Sequence, residues 1–300
     1  MLNLKKLSIL LTLLSLLTLM GCAQRNSYQE LELVKEVDLQ PQQIKTKSLA
    51  IAFGGGGIRG YMHLGVIKAL EENNIKADLV TGSSAGSVAA TLYASGKPYH
   101  ELEEIMNDFS EFDLMDFVLS RKGLVNGQNL ADWINQSISQ QKLSELEIPV
   151  GITATNMTTL ESVLITDGNP GEAVQTSSSI PGAFVPVEHK ENLLVDGGIL
   201  NVVPVYYAKT MGADIVIGVD IYCGNQPAAE ITALGMQLAT FRLLACRHSE
   251  KEINSADIVV RPTYEPKGSG ILSSKEAGIQ AGYDAMMAKM PELIALLREH

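Results

Sequence analysis

The apolar run Leu79-Val80-Thr81 breaks at Gly82-Ser83-Ser84-Ala85-Gly86 and resumes as the helix-favouring Val88 to Ala94. Few chain geometries turn a strand into a helix so abruptly. A Gly-x-Ser-x-Gly at such a junction has the form of a nucleophile elbow, in which the serine sits on a strained turn and glycines let strand and helix pack closely. Ser84 then presents its hydroxyl at the N-terminus of the following helix. The competing reading is an ordinary Gly/Ser loop, because short motifs recur by chance.

A second unit of the same kind precedes the first. Ser48 to Phe53 is apolar, Gly54 to Gly57 interrupt it, and Tyr61 to Glu72 carry helical spacing through Leu64, Ile67 and Leu70. Two strand, glycine, helix units in succession predict a largely parallel sheet covered by helices, an α/β class. Further strands are expected at 148–155, 162–166, 193–195 and 215–220, and helices at 99–106, 130–138, 231–245 and 278–297. The stretch holding Phe109, Phe112, Leu114, Met115, Phe117 and Val118 has no clear period; it reads as core rather than as a lid. With 46% hydrophobic and 19% charged residues and no interior linker, residues 48–300 read as one domain, with motifs over 48–220 and C-terminal helices over 231–300.

The N-terminus is of another character. Lys5 and Lys6 precede an apolar run, Leu7 to Met20, that is shorter than the roughly 20 residues a bilayer span requires, so residues 1–21 read as a signal peptide. Leu19-Met20-Gly21-Cys22 resembles the lipobox of bacterial lipoproteins, which implies lipidation of Cys22 as first mature residue. Ala23 in place of aspartate implies, by the same resemblance, an outer-membrane anchor facing the periplasm. Residues 22–47 read as a polar tether, whose roughly 25 residues would span about 25–30 Å as coil. Leu31 to Val34 alternatively form an edge strand or helix on the body. Net charge is -11; loss of residues 1–21 leaves 21 basic against 34 acidic residues, or -13. That sign opposes attraction to nucleic acid or anionic headgroups. Cys223 and Cys246 remain as an even pair, either bridged or as two buried thiols.

Gly55-x-Gly57-x-x-Gly60 also matches a dinucleotide-binding fingerprint, but that site needs an acid after the second strand, and Asp78 lies at its start. Free amides in a glycine loop suit an oxyanion equally well. A nucleophilic Ser84 needs a base. His63, His100, His189, His248 and His300 are available, none in a Gly-flanked loop after a strand, although the order Ser84, Asp196, His248 keeps a triad open. Asp196 ends an apolar strand before Gly197-Gly198. With an ordinary pKa of about 3.9, it serves as a base only if buried and in direct contact with the hydroxyl. No zinc-site spacing is present.

Taken in order, Gly54-Gly55-Gly56-Gly57-Ile58-Arg59-Gly60, Gly82-Ser83-Ser84-Ala85-Gly86, Ser177 to Pro186 and Asp196-Gly197-Gly198 resemble the motifs of patatin-like phospholipases. Ser83 departs from the threonine frequent there. The resemblance implies a three-layer α/β/α fold, a Ser84-Asp196 dyad without histidine, and an oxyanion hole from Gly55, Gly56 and Gly57. Gly54, Arg59, Gly82, Gly86, Gly197 and Gly198 are implied as supporting residues. It further implies hydrolysis of acyl esters in a membrane lipid or lysolipid, with no cofactor or metal. Two other readings stay open: a Ser-His-Asp esterase or thioesterase using His248 or His189, and a catalytically inactive envelope scaffold.

Overall fold

The computed structural model describes residues 26–35, 48–108, 116–224, 232–264 and 275–298. The signal peptide and Cys22 lie outside them, as do Phe109, Phe112, Leu114, Met115 and His300.

In chain order the elements are β1 (Asn26–Ser27), β2 (Glu32–Val34), β3 (Leu49–Phe53), α1 (Tyr61–Glu72), β4 (Leu79–Gly82), α2 (Ala85–Ala94), α3 (Tyr99–Asn107) and α4 (Gln128–Ser137). They continue as β5 (Val150–Asn156), β6 (Glu161–Asp167), α5 (Pro170–Ser177), β7 (Val187–His189), β8 (Asn192–Asp196), α6 (Val205–Thr210), β9 (Ile215–Val219), α7 (Ala233–Ile253), β10 (Ile258–Val260) and α8 (Lys275–Arg298). The short elements β7, α6 and β10 carry too little periodicity to be predicted. Helix α7 runs eight residues past its expected end, because Arg247 to Ile253 turn Ser249, Glu252 and Ile253 inward.

Strands β5, β4, β3, β9 and β10 lie parallel in that order, the expected arrangement for two strand-helix units. All five residues of β3 are buried, and its alternation divides the core. Leu49, Ile51 and Phe53 pack with Met62, Ile67 and Leu70 of α1 and Met286 and Met290 of α8. Ala50 and Ala52 face the opposite way, toward Val205 and Tyr207 of α6 and Ala245 and Ile253 of α7. Helices therefore cover both faces, giving the three α/β/α layers.

On the other side of β5 the sheet turns antiparallel. One edge of β5 carries β6 through Ile152 to Asn156. Its opposite edge is shared: β4 occupies Val150 to Ile152, and β8, running antiparallel, occupies Ala154 to Asn156. The C-terminal ends of β4 and β8 thus point at each other across Thr153.

Part of the supposed tether belongs to this sheet. β1 pairs with β7 and β2 with β6, Leu31 is buried, and the Tyr28 N–H donates to the Glu188 carbonyl at 3.0 Å. The edge-strand alternative for Leu31 to Val34 is the one observed. Phe117, read as core, is 69% exposed.

Candidate active site

Ser84 follows β4 directly and has φ 51°, ψ −124°. For a residue with a Cβ this backbone costs about 1–3 kcal/mol and persists only where surrounding structure enforces it. The enforcement comes from close packing at both glycines. A Cβ on Gly82 would stand 2.5 Å from the Gly86 carbonyl oxygen, and one on Gly86 would stand 2.0 Å from that of Phe53. The Ser84 N–H is satisfied by Ser177 Oγ at 2.8 Å.

Because β4 and β8 meet end to end, the Ser84 hydroxyl reaches Asp196. Oγ donates to Oδ2 at 2.7 Å, both residues being buried. Asp196 is held on three further sides: its N–H donates to the Ser179 carbonyl, its carbonyl accepts from Thr155 Oγ1, and Oδ1 accepts from the Gly198 N–H at 2.7 Å. A side chain at 197 would collide with Thr153, which accounts for the first glycine of the pair. Burial pushes the Asp196 carboxyl up to about 6, against the opposing hydrogen bonds from Ser84 and Gly198. Burial therefore makes the carboxylate a stronger base than a solvated one.

Among the described residues no histidine is hydrogen-bonded to Ser84 or Asp196, although His63 lines the cavity at Ser84. His189 Nδ1 is hydrogen-bonded to the Tyr28 carbonyl in β7, and His248 is exposed on α7. His63 is fully buried on α1, with Nε2 2.8 Å from the Gly54 carbonyl, and burial lowers its pKa to about 4. It acts as a brace for the glycine loop, a role that no local motif announced. The Ser84 hydroxyl instead has its hydrogen bond to Asp196.

The glycine loop runs beside the elbow, where a Cβ at Gly55 would lie 3.2 Å from the Ser84 Cβ. Its amides are not equivalent. The Gly54 and Gly55 N–H groups donate to the Val219 and Val202 carbonyls, at 3.0 and 2.8 Å. Gly55 was expected among the oxyanion donors; its amide is instead hydrogen-bonded within the protein, to Val202 in the segment between β8 and α6. Among the described residues no backbone acceptor takes the N–H of Gly56 or Gly57. Arg59 Nη1 donates to the Gly56 carbonyl at 3.2 Å, steadying the turn that exposes those two amides.

Two cavities open at Ser84. One, of about 200 Å³, is almost wholly apolar, with Leu64, Ile67, Val88, Leu92, Leu102 and Met106 in its wall. The other, of about 480 Å³, carries Arg59, Asp196, Tyr222, Leu238 and Arg242. Arg242 Nε and Nη2 donate to the Tyr222 carbonyl, and both guanidinium groups lie over the Tyr222 ring. The Cys223–Cys246 disulfide ties that loop to α7, with Cα atoms 5.4 Å apart. Neither Tyr222 nor Arg242 stood out in the sequence, since they converge only through the disulfide and the fold.

A family profile described as patatin-like phospholipase matches residues 51–209, more than half of the chain and all of the geometry around Ser84 and Asp196. The chain belongs to the patatin-like phospholipase family. Relatives of this patatin-like domain include an uncharacterized NTE family protein of Mycobacterium tuberculosis, 31% identical over 175 residues, which are 58% of this chain and 49% of the relative. Human patatin-like phospholipase domain-containing protein 6 is 29% identical over 205 residues, 66% of this chain and 15% of that protein. This chain thus spans about half the length of the mycobacterial relative and a small part of the human one. VipD from Legionella pneumophila shares the patatin-like fold, with a TM-score of 0.54 at 15% identity over 95% of this chain and 73% of its own.

Proposed function

We propose that this chain is a serine acyl hydrolase acting on carboxylic esters of lipids, with Ser84 as nucleophile and Asp196 as its base. The observation that carries the reading is the 2.7 Å hydrogen bond from a strained, buried serine to a carboxyl whose pKa burial has raised to about 6. Ser84 Oγ attacks the ester carbonyl as its proton passes to Asp196 Oδ2. The resulting oxyanion is held by the N–H groups of Gly56 and Gly57; losing one such donor typically costs about 10²-fold or more in rate. Collapse of the intermediate expels the alcohol, which takes the proton from Asp196. A water then gives its proton to Asp196, attacks the acyl-serine, and releases the fatty acid with the Ser84 hydroxyl restored.

The two cavities support a lipid in particular. The apolar one suits an acyl chain, and the one bearing Arg59 and Arg242 suits the polar, alcohol side of a phospholipid or lysophospholipid. Lipidation at Cys22 and an outer-membrane location facing the periplasm belong to the same proposal. Their support is the sequence of residues 1–23.

A fluorophosphonate probe tests the chemistry. Wild type is expected to label, and Ser84→Ala and Asp196→Asn to lose labelling; labelling that survives Ser84→Ala refutes the assignment. Incorporation of radiolabelled palmitate by wild type but not by Cys22→Ser tests the anchor.

A further inference from the structure

Helix α7 has an unusual surface. From Thr232 to Cys246 the only charged residue is Arg242, whose guanidinium is turned onto Tyr222. Outward from it, Met236, Leu238, Leu243 and Leu244 are 44–64% exposed. A second exposed apolar group sits on the segment 117–124, where Phe117, Leu119 and Leu124 are 60–69% exposed. Single exposed leucines are ordinary, but concentrations on two segments mark a surface that something covers.

Both segments border the openings at Ser84. Leu238, Ala239, Phe241 and Arg242 of α7 form one wall of the larger cavity. The N–H groups of Leu124 and Val125 donate to the Ala183 carbonyl beside Phe184, which lines the apolar cavity. Ile58, 40% exposed, belongs to the rim of both. Exposed apolar residues of two segments therefore border the route by which substrate would reach the hydroxyl. A protein seated on these residues would close that route, whereas a lipid surface would supply what passes through it.

We propose that the exposed face of α7, together with the 117–124 segment, seats this domain on a lipid bilayer of zwitterionic headgroups and admits lipid directly from it to Ser84. The proposal rests on the acyl-ester reading above. The net charge of -11 opposes docking through anionic headgroups, leaving apolar insertion as the attractive force. Among the described residues no helix is long and apolar enough to cross a membrane, so α7 would lie in the interfacial plane. Arg121 and Lys122, at the tip between Leu119 and Leu124, then lie at headgroup level.

Local quenching tests this in the full chain, whatever residues 1–25 contribute to attachment. Single tryptophans are placed by Leu243→Trp, Phe117→Trp and Lys76→Trp in a Trp133→Phe background, and phosphatidylcholine vesicles with brominated acyl chains are added. Quenching is expected at 243 and 117 but not at 76, which precedes β4 at the opposite end of the strand from Ser84, and it should persist in high salt. In parallel, the double substitution Leu243→Ser, Leu244→Ser should lower hydrolysis of vesicle lipid about tenfold or more while leaving a soluble short-chain ester untouched. Absence of quenching at both 243 and 117 overturns the proposal. So does quenching abolished by salt, which would mark electrostatic docking, or a blue shift at 243 that follows protein concentration without vesicles, which would mark a second copy as the occupant. If wild type cleaves no soluble ester, the acyl-hydrolase reading fails on its own, and the quenching still decides whether the face meets a bilayer.

Discussion

Ser84 and Asp196 are 112 residues apart in sequence, and the Ser84 hydroxyl donates a 2.7 Å hydrogen bond to the Asp196 carboxyl because β4 and β8 end against each other on one edge of β5. On the proposed mechanism, activity follows the titration of Asp196: a base must be ionised, and burial places this carboxyl's pKa at about 6. Ester hydrolysis is therefore expected to fall about tenfold per pH unit below 6 and to level off above it. Asp196→Asn should retain the fold and lose about 10³-fold or more in kcat at all pH values, whereas His248→Ala and His189→Ala should keep the wild-type profile. A pH series of kcat/KM checks all four proteins.

Acid stability should report His63. Its folded pKa of about 4 lies below the ordinary 6.5, so the unfolded chain binds more protons in between. The stabilisation is complete above pH 6.5 and is lost as pH falls toward 4, amounting to about 3 kcal/mol. Asp196 has the opposite sign: raised from 3.8, its contribution is present below 3.8 and is lost as pH rises through about 6. Unfolding free energies of Asp196→Asn and of Asp196→Asn with His63→Gln, measured from pH 4 to 7, separate the two. The first should weaken on acidification, and the second should stay much flatter.

Gly86→Ala should not be a conservative change. Its new Cβ would meet the Phe53 and Gly54 carbonyl oxygens, backbone atoms in the strand-to-loop junction that cannot swing aside. A loss of about 3 kcal/mol or more is expected, together with loss of probe labelling at Ser84, since the elbow must open to relieve the clash. Gly57→Ala is a useful contrast: nothing stands within 4 Å of its added Cβ, and only its φ of 58° opposes it. A penalty nearer 1 kcal/mol is expected there. Thermal melts of both variants test the ranking.

Reducing the Cys223–Cys246 bridge should cost about 3 kcal/mol, the loop-closure value for cysteines 23 residues apart. Because α7 walls the larger cavity, hydrolysis of bulky lipid should suffer more than that of a small soluble ester. Calorimetry and both assays, with and without reductant, check this. Quantitative thiol labelling of the untreated protein would refute the pairing.

The strand-to-helix turns were readable locally because their causes are local. Gly82 and Gly86 leave space at a turn that Ser84 strains, and the unbroken apolar run Leu49 to Phe53 fits a strand buried on both faces. Tyr222 and Arg242 gave no such signal. Their partnership depends on α7 returning to the loop after β9, and a cavity wall built from two distant segments leaves no periodicity in either.

What the chain determines by itself is the set of places where side chains cannot be: the glycines at 54 to 57, 82, 86, 197 and 198, with the apolar runs between them, already imply an α/β sheet with a sharp strand-to-helix turn at Ser84. Tertiary structure decided which groups those glycines bring together. It set Asp196, rather than a histidine, beside Ser84. It also consumed the Gly55 amide in anchoring the loop, and folded residues 26–35 into the sheet. The reason is the same in each case: steric permission is a property of one residue, whereas a hydrogen bond between strand ends depends on which edge each strand takes.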